Sequence, residues 1–552
     1  MNTQMRTVTQ PGKMPRHRCY IIGVGMTPFV HPDSTYDDYP QMVEKAVKMA
    51  LEDAGLAYHD IDQAYAGYVF GDSTCGQRAL YDIGMTGIPI CNVNNNCSTG
   101  STALYLAKQV IEGGISKCVL AVGFEKMVKG PIQLQYSDRA NPLENHLQVL
   151  ADTYDLTASP IAAQMFGAAG REHMEKYGTK PEHFAKIALK NHSHAQNNPY
   201  AQAKRGTVTL EDIVNSPLLS QPLTRLQCCP VSNGAAAAIL ASEDFVHKHN
   251  LEKQAVEIIG MELGTDLPST FKEKSCIKMV GFDMTRKAAE KLYQNTGISP
   301  KEVNVIELHD CFSTNELLTY EALGLCEIGK GAEMVEHGNN TYGGKYVVNP
   351  SGGLIAKGHP LGATGVAQCA ELCWHLRNKA GARQVPNAKT ALQHNIGVGG
   401  AVVVALYRLG FPPEKNHSET SQAFEARDGD ESGPVESEFK SDTVFQGIKE
   451  ALEAGEQLFD KNINGIAAFK ITSESGKEKT WAFIFENGNC RVSSDPNIKA
   501  DATLKMKDSL VVDIFAGKRS FQAAFLSRQF QIKGSLGLLM KLMPVANLMS
   551  KL

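Results

Sequence analysis

The chain is organised around Val93-Asn94-Asn95-Asn96-Cys97-Ser98-Thr99-Gly100-Ser101-Thr102-Ala103. Residues 88–93 before it favour a β-strand, and residues 103–111 after it favour a helix. Cys97 is therefore predicted to lie in a turn near a helix N-terminus, where free N–H groups and the helix dipole favour a thiolate. The small residues that follow it are expected to let a bulky substrate approach the sulfur. A buried free cysteine is the alternative that this stretch alone leaves open.

Length and composition limit the class of protein. The chain has 552 residues, too many for one hydrophobic core, so two or three domains are expected. Its 55 basic and 59 acidic residues are nearly balanced and give no indication of binding to nucleic acid or an anionic membrane surface. No apolar run reaches membrane-spanning length, and the polar, basic N-terminus is unlike a secretory signal.

The cysteines and the last residues indicate a compartment. The chain has 13 cysteines, an odd number, which suits a reducing environment better than a disulfide framework. The pair Cys228-Cys229 has no second pair at zinc-ligand spacing, so no metal site is expected. Ser550, Lys551 and Leu552 form a tripeptide that an import receptor reads as a peroxisomal address. We therefore expect the protein in the peroxisome.

Two stretches of alternating strands and helices repeat one pattern. In each, a helix ends at a glycine, Gly55 or Gly297, and a turn leads into a short strand. Each also contains a glycine-rich turn that leads into a helix of small residues. We therefore predict a duplication of two α/β halves, residues 18–265 and 266–411, with mostly parallel sheets. A flexible tail of residues 1–17 would precede them, and a polar insertion at about 133–221 would form a lid or a loop domain within the first half.

A second domain follows the two halves. Residues 412–441 are acidic and contain several prolines and glycines, which predicts a solvated linker. Residues 442–552 combine helices with short strands and hairpin turns, which predicts a smaller α+β domain. Its last helix, 536–549, is apolar nearly all round and too short to span a bilayer, so it is either a core helix or the wall of a pocket. Flexible methionines favour a pocket for an apolar ligand, and the residues expected to line it are Leu536, Leu539, Met540 and Met543.

Three further motifs carry reactive side chains. His309-Asp310-Cys311-Phe312 follows a predicted strand, Gly358-His359-Pro360 forms a rigid turn, and Asn395-Ile396-Gly397 opens a glycine-rich loop. Loops after the strands of an α/β sheet build its site, so these motifs are expected to converge with Cys97. The rigid turn would hold His359 as a general base, and the last loop would aim N–H groups at an oxyanion. A structural turn histidine and tight backbone packing are the alternatives.

Together these motifs resemble the thiolase superfamily over about residues 18–410. Most thiolases carry a second catalytic cysteine where this chain has Asn395, and Asn-Glu where it has His309-Asp310. Here the spare sulfur is Cys311, a pattern similar to thiolases of the sterol-carrier type. Residues 440–552 resemble the sterol carrier lipid-binding domain. The resemblance implies an α/β protein with a duplicated thiolase fold, layered α/β/α/β/α, and a second, smaller α+β lipid-binding domain.

The resemblance also implies a reaction and a set of roles. A 3-oxoacyl-CoA, straight, 2-methyl-branched or with a sterol side chain, would be cleaved with CoA to acyl-CoA and acetyl-CoA or propionyl-CoA. Coenzyme A would be a co-substrate, without a resident cofactor, and the protein would be a homodimer. The roles implied are Cys97 as nucleophile, His359 as base, Cys311 as acid and base, His309 at the enolate oxygen, and Gly397 with Asn395 at the oxyanion hole. A condensing enzyme of the ketoacyl synthase type and a lipid-transfer protein with an inactive thiolase scaffold are the alternatives.

Overall fold

The computed structural model divides the chain into two units, residues 1–416 and 417–552. It describes residues 17–34, 37–130, 138–203, 206–411, 439–453, 464–473, 475–486, 489–496, 498–515 and 531–534. The predicted tail, most of the predicted linker, the predicted lipid-binding residues Leu536, Leu539, Met540 and Met543, and the C-terminal tripeptide lie outside these ranges. Within the ranges, no helix is both long and apolar enough to cross a membrane.

The first unit alternates strands and helices along its whole length. Its strands are β1 Cys19–Met26, β2 Gln63–Gly67, β3 Ile90–Val93, β4 Cys118–Glu125, β5 Leu218–Ser220, β6 Leu223–Thr224, β7 Gly234–Ser242, β8 Val256–Gly264, β9 Val305–Glu307, β10 Val347–Val348, β11 Ala391–Gly397 and β12 Ala401–Leu409. Its helices are α1 Tyr39–Ala54, α2 Cys75–Tyr81, α3 Thr99–Glu112, α4 Glu144–Thr153, α5 Ile161–Tyr177, α6 Pro181–Ala195, α7 Leu210–Asn215, α8 Glu243–Lys248, α9 Ser269–Lys272, α10 Cys276–Met279, α11 Phe282–Thr296, α12 Ser313–Ala322, α13 Gly331–Glu336, α14 Gly353–Lys357 and α15 Leu361–Leu376. Short 3₁₀ turns lie at Pro32–Ser34, Tyr58–Asp60, Arg225–Gln227, Pro300–Glu302 and Gly381–Arg383.

The order of the strands shows the duplication. Ten strands of the described first unit form one sheet in the order β10-β9-β11-β12-β8-β1-β7-β4-β2-β3. Divided between β8 and β1, this order reads the same from either end, with one antiparallel strand, β7 or β12, in each half. The predicted duplication of two α/β halves is confirmed.

The boundary between the halves differs from the predicted 265/266. Strand β8 pairs with β12 along nearly all of Val256–Gly264, but with β1 at only two positions. It is therefore the first strand of the second half, which begins before Val256. Sequence periodicity cannot show this, because the partner of β8 lies about 140 residues further along the chain.

Helices cover both faces of the sheet. Alternate residues of β12 point to opposite faces, with Val403 and Ala405 in one core cluster and Val402 and Val404 in another. The first cluster also contains α3 and α15, which pack against strands of both halves. Helix α1 covers the other face of the first half, and α11 with α12 covers that of the second. The layers are therefore α1, the strands of the first half, α3 with α15, the strands of the second half, and α11 with α12. This is the predicted α/β/α/β/α layering.

Small residues at the start of α3 bring two helices together. A Cβ on Gly100 would lie 2.7 Å from the carbonyl oxygen of Gly362, and one on Gly365 would lie 2.2 Å from the Oγ of Ser101. Ser98, Thr99 and Ser101 are fully buried. The expectation that these residues make room for substrate is therefore corrected: they let α3 and α15 pack with their backbones in contact.

The insertion in the first half packs onto the second half. Between β4 and β7 the chain forms α4 to α7 and the hairpin of β5 and β6, whereas only residues 398–400 join the equivalent strands β11 and β12. Lys190 and Asn191, on α6, donate hydrogen bonds to Glu316 on α12. Asn191 also donates to Asp310, 2.8 Å away, and so touches the His309-Asp310-Cys311-Phe312 motif.

The second unit is a small α+β domain. It contains α16 Asp442–Glu453, β13 Gly465–Thr472, β14 Glu478–Glu486, β15 Asn489–Ser493, β16 Ala502–Lys507, α17 Asp508–Phe515 and β17 Gln531–Gly534. The strands form one sheet in the order β15-β14-β13-β16-β17, and Phe445 of α16 stacks on Trp481 with ring centroids 5.3 Å apart. Asp508 accepts hydrogen bonds from the backbone N–H groups of Lys440 and Ser441. Residues 439–441, predicted as linker, therefore belong to this domain.

Candidate active site

A tight turn places Cys97 just before α3. The backbone of Asn96 adopts a left-handed conformation, with φ of 51°, which an asparagine tolerates. The hydroxyl groups of Ser98 and Thr99 donate to the carbonyl oxygens of Asn95 and Asn96, at 2.9 and 2.6 Å. The turn is therefore held by its own side chains, and Cys97 lies partly exposed at its end.

Two histidines from distant loops meet this cysteine. The Sγ of Cys97 and one ring nitrogen each from His309 and His359 all lie within 4.8 Å of one another. The two imidazoles are nearly perpendicular, with centroids 5.0 Å apart. Both histidines are buried, at 1% and 3% exposure, so their rings are shielded from bulk water.

His359 has a fixed tautomer. Its Nδ1 lies 2.7 Å from the Oγ1 of Thr364, whose own proton is donated to the carbonyl oxygen of Pro360. The hydroxyl can therefore only accept from His359, so Nδ1 carries the proton and Nε2 carries the lone pair. Nε2 has no partner within the described residues, and burial lowers the pKa of His359 to about 3. A neutral imidazole with a free lone pair can take a proton from a thiol.

His309 has the opposite tautomer. The Nδ2 of Asn395 lies 2.9 Å from its Nδ1, and because an amide nitrogen can only donate, Nδ1 accepts and Nε2 carries the proton. The orientation of the amide is fixed because its Oδ1 accepts from the hydroxyl of Ser101 at 2.8 Å. Burial, together with His359 and His394, holds the pKa of His309 well below its usual value. His309 is therefore a neutral N–H donor.

Asn395 consequently does not have the place expected for it. Both ends of its amide are engaged, with His309 and with Ser101, and it is fully buried. The resemblance to thiolases implied that Asn395 lies at the oxyanion hole. The structure instead gives it the position of a residue that orients His309.

Gly397 lies against the nucleophile turn. A Cβ on it would be 2.3 Å from the carbonyl oxygen of Asn95 and 3.1 Å from the backbone nitrogen of Ser98. The Nδ2 of Asn96 donates to the carbonyl oxygen of Val398 at 2.8 Å and ties the two loops together. The loop that carries Gly397 thus touches the turn that carries Cys97, as the predicted oxyanion hole requires.

Cys311 follows His309 by two residues, on the loop that precedes α12. It is buried among apolar side chains that include Phe312, which stacks on Phe166 with centroids 4.9 Å apart. Burial raises the pKa of Cys311 well above the usual value, and the nearby thiols of Cys229 and Cys97 raise it further. Cys311 therefore holds a proton at rest.

The resting Cys97 is also a thiol. Burial raises its pKa to about 12, and the buried carboxyl group of Glu125 adds to the shift. This direction is opposite to the one that the helix-terminus argument predicted, because burial disfavours the charged form of a thiol. Cys97 must therefore lose its proton to a neighbouring base when it reacts.

Asp310 anchors the loop that carries His309 and Cys311. Its carboxylate accepts the backbone N–H groups of Leu354 and Ile355, at 2.7 and 3.2 Å, in the first turns of α14. Burial and the neighbouring Glu316 raise the pKa of Asp310 well above its usual value. Asp310 thus accepts hydrogen bonds from α6 on one side and from α14 on the other, and these bonds hold the loop between β9 and α12 rigidly.

Sequence reasoning missed two residues near the site. The backbone N–H of Cys229 donates to the carbonyl oxygen of Cys311 at 2.9 Å, and its only sequence signal was the cysteine pair dismissed as a metal site. Glu125, at the end of β4, accepts the backbone N–H groups of Val69, Phe70 and Gly362, and burial raises its pKa to about 7. Nothing in the local sequence distinguishes Glu125 from an ordinary surface carboxylate.

A thiolate and two imidazoles are also ligands for zinc or copper. The spacing of Cys97, His309 and His359 would allow one ion. In the hydrogen-bonded form described above, however, His309 offers no free lone pair, because Asn395 occupies Nδ1 and Nε2 carries the proton. The cluster fits a nucleophile with one base and one N–H donor better than a metal site.

Three family models match the chain. Residues 19–244 match the thiolase N-terminal domain, residues 270–406 the thiolase C-terminal domain-like family, and residues 446–547 the SCP-2 sterol transfer family. Sterol carrier protein 2 of Homo sapiens is 56% identical over 531 residues, a match that covers 95% of this chain and 96% of that protein.

Solved structures share the fold of the first unit. A structure titled Ltp2-ChsH2(DUF35) aldolase matches with a TM-score of 0.61 and 22% identity, over 72% of this chain and 98% of that one. Human mitochondrial 3-ketoacyl-CoA thiolase in complex with CoA matches with a TM-score of 0.54 and 20% identity, over 71% of this chain and 98% of that one. At these identities the likeness extends to the fold alone.

Proposed function

The chain belongs to the thiolase family and carries an SCP-2 sterol transfer domain, and from this premise we propose that it cleaves 3-oxoacyl-CoA thioesters with coenzyme A. The products would be a shortened acyl-CoA and acetyl-CoA or propionyl-CoA. The observation that carries this proposal is the meeting of the Cys97 sulfur with a histidine base and a histidine N–H donor within 4.8 Å.

The first half-reaction breaks the carbon–carbon bond. Nε2 of His359 takes the thiol proton of Cys97, and the thiolate attacks C3 of the substrate. When the C2–C3 bond breaks, the electron pair moves onto the thioester of the leaving fragment as an enolate, whose oxygen would accept Nε2–H of His309. Cys311 would then donate its proton to C2, which its raised pKa suits.

The second half-reaction releases the acyl group. Cys311, now deprotonated, would take the proton of the incoming CoA thiol, and the new thiolate attacks the acyl group on Cys97. The oxyanion of this intermediate would be held by the backbone N–H groups of Cys97 and Gly397, which lie on touching loops. Cys97 leaves and recovers its proton from His359, so the site returns to its starting state.

The experiment is a cleavage assay on the full-length chain. Loss of 3-oxoacyl-CoA should depend on added CoA, and Cys97→Ala should abolish it, while Cys311→Ala should slow it by about 10²–10⁴, the usual worth of a positioned acid or base. Cys326→Ala is the matched control, since Cys326 is a free, partly buried cysteine outside the site. A wild-type chain that cleaves no 3-oxoacyl-CoA would refute the proposal and favour a lipid-transfer protein with an inactive scaffold.

The same variants separate the proposal from a condensing enzyme. A synthase of the ketoacyl type generates its carbanion by losing carbon dioxide and has no need of the proton on Cys311. Condensation with a malonyl donor that survives in Cys311→Ala would therefore favour the synthase.

The acyl chain is proposed to be long or 2-methyl-branched. Cys311, which would protonate C2, lies in an apolar cluster with Phe166, Phe312 and Met279, and such a lining favours alkyl substituents near the reacting carbon. Straight-chain and 2-methyl-branched 3-oxoacyl-CoA esters compared at equal length would test this. A strong preference for the straight chains would exclude the branched assignment.

The second unit is proposed to carry fatty acyl chains, acyl-CoA or sterols. The sheet face covered by α16 and α17 is lined by aromatic and aliphatic side chains, among them Phe469, Phe483 and Leu504. The ligand site predicted from the sequence also includes the apolar residues 536–549, which lie outside the described ranges. A fluorescent fatty acid should bind the full-length chain, and Leu539→Asp with Met543→Asp should weaken that binding without changing cleavage of short substrates.

A homodimer is also proposed, through the edge of the sheet. Strand β3 ends the sheet with the exposed Cys91, and Tyr81 and Met85 just before it are 47% and 79% exposed. An open strand edge flanked by apolar side chains suits a second copy of the chain. Met85→Asp should shift the sedimentation of the protein towards the monomer, whereas Ile328→Asp, on another exposed apolar residue, should not.

The peroxisome is proposed as the location. Ser550-Lys551-Leu552 would be read by the import receptor of that organelle. A fluorescent reporter that ends in this tripeptide should enter peroxisomes, and one extra residue after Leu552 should block its entry. Diffuse fluorescence in both cases would refute the assignment.

A further inference from the structure

A chain of buried hydrogen bonds leads from Tyr407, near the end of β12, to His309. The hydroxyl of Tyr407 donates to Oε1 of Gln393 at 2.5 Å, and Nε2 of Gln393 donates to Oγ of Ser101 at 2.9 Å. The hydroxyl of Ser101 donates to Asn395, and Asn395 donates to Nδ1 of His309, at 2.8 and 2.9 Å. Tyr407, Gln393, Ser101 and Asn395 are fully buried, so water does not compete for these bonds.

The direction of the chain is fixed by the backbone. Nε2 of Gln393 also donates to the carbonyl oxygen of Gly365 at 2.6 Å, and a carbonyl oxygen can only accept. The amide of Gln393 therefore cannot turn round. Because an amide nitrogen can only donate, the hydroxyl of Ser101 accepts from Gln393, which leaves its own proton for Oδ1 of Asn395. Every bond in the chain thus points its proton towards His309.

We propose that Tyr407, Gln393 and Ser101 are positioning residues that, through Asn395, hold His309 as a neutral imidazole with its proton on Nε2. The inference rests on the proposed function, in which that proton binds the enolate oxygen. Aligned hydrogen bonds polarise one another in a buried site, so each bond of the chain also strengthens the final bond, from Asn395 to His309. The imidazole can then act like an amide N–H, because its other nitrogen is never free to lose or gain the proton.

Two partial reactions separate positioning from general loss of structure. Exchange of the α-protons of acetyl-CoA with deuterated water forms the enolate and uses His309. Exchange of labelled CoA into acyl-CoA passes only through the acyl group on Cys97 and uses the oxyanion hole of Cys97 and Gly397. A defect in the chain should slow the first reaction and spare the second.

The experiment compares Ser101→Ala and Tyr407→Phe with the wild-type enzyme. We expect α-proton exchange and substrate cleavage to fall about tenfold in Ser101→Ala and about threefold in Tyr407→Phe, a part of the roughly 10²–10³ that loss of a whole oxyanion donor costs. The fall should be in kcat with little change in KM, and exchange of CoA should stay within about twofold of wild type. The double variant should be no slower than Ser101→Ala, since one break already disconnects Tyr407.

Tyr346→Phe is the matched control, because Tyr346 is equally buried and its hydroxyl has no hydrogen-bond partner within the described residues. Equal losses in both partial reactions, additive losses in the double variant, or the same loss in the control would overturn the inference. A wild-type chain that exchanges CoA but forms no enolate and cleaves nothing would instead refute the proposed function.

Discussion

Gly397→Ala tests the contact on which the oxyanion hole depends. The added Cβ would lie 2.3 Å from the carbonyl oxygen of Asn95, whereas ordinary contacts of a Cβ begin near 3.4 Å. One of the two loops must therefore move by about 1 Å, and the nearest atoms belong to backbone rather than to a flexible side chain. A misplacement of about 1 Å at reacting groups costs on the order of 10² in rate. Overpacking of this kind also destabilises by about 1–3 kcal/mol.

The assay is kcat for cleavage of a 3-oxoacyl-CoA, measured with the midpoint of thermal unfolding. We expect kcat to fall about 10²-fold while the protein stays folded. Gly264→Ala is the control, because a Cβ there would lie 3.4 Å from Val402, an ordinary contact, at the end of β8. If Gly397→Ala keeps kcat within about twofold of wild type, the two loops do not form the hole together and the reasoning is wrong.

Three further predictions concern other residues. Asn395→Asp replaces the donor to His309 by an acceptor, so the proton of the imidazole should move to Nδ1. Cleavage in steady-state assays should then fall by about 10²–10³. An unchanged rate would contradict the assignment of the proton to Nε2 of His309. Burial raises the pKa of Glu125 from 4.5 to about 7, so between these pH values the unfolded state binds fewer protons than the folded state, and stability falls as the pH rises. In urea unfolding, the free energy of unfolding of wild type should fall by about 3 kcal/mol relative to that of Glu125→Gln across this pH interval. Parallel pH curves for the two proteins would contradict the raised pKa of Glu125. Asp508→Ala removes the acceptor of two backbone N–H groups and the Ser441 hydroxyl, which should destabilise the second unit by about 2–3 kcal/mol. Hydrogen exchange of the strands of that unit measures the loss, and unchanged exchange would show that Asp508 does not hold residues 440 and 441 to the domain.

The parts of the fold that the sequence predicts well are those that depend on local signals. Helix α1 ends where predicted, because Gly55 adopts the left-handed conformation that ends it. The start of the second half was misplaced because the pairing of β8 with β12 is a contact between distant segments. The packing of Gly100 against α15 could not be predicted for the same reason.

The candidate site divides in the same way. The motifs that carry Cys97, His309 and His359 are short and were recognised from residue type and spacing, and the structure brings these three side chains together. The protonation of each histidine was not predictable, because it is decided by a partner such as Asn395, 86 residues from His309 along the chain. The raised pKa of Cys97 likewise follows from burial, which a helix-terminus argument does not include.

The two departures from the common thiolase pattern are physically linked. An asparagine amide donates its N–H in only one way, whereas an imidazole in the same role can present either a proton or a lone pair. A histidine at 309 therefore works as a donor only if something fixes its tautomer, and the residue that does so, Asn395, occupies the place where most thiolases have their second cysteine. With that place taken, the second sulfur must come from elsewhere, and Cys311 lies two residues from His309 on the same anchored loop. In the proposed mechanism, the histidine, the asparagine and the second cysteine therefore act together: Asn395 fixes the tautomer of His309, His309 binds the enolate oxygen, and Cys311 supplies the proton.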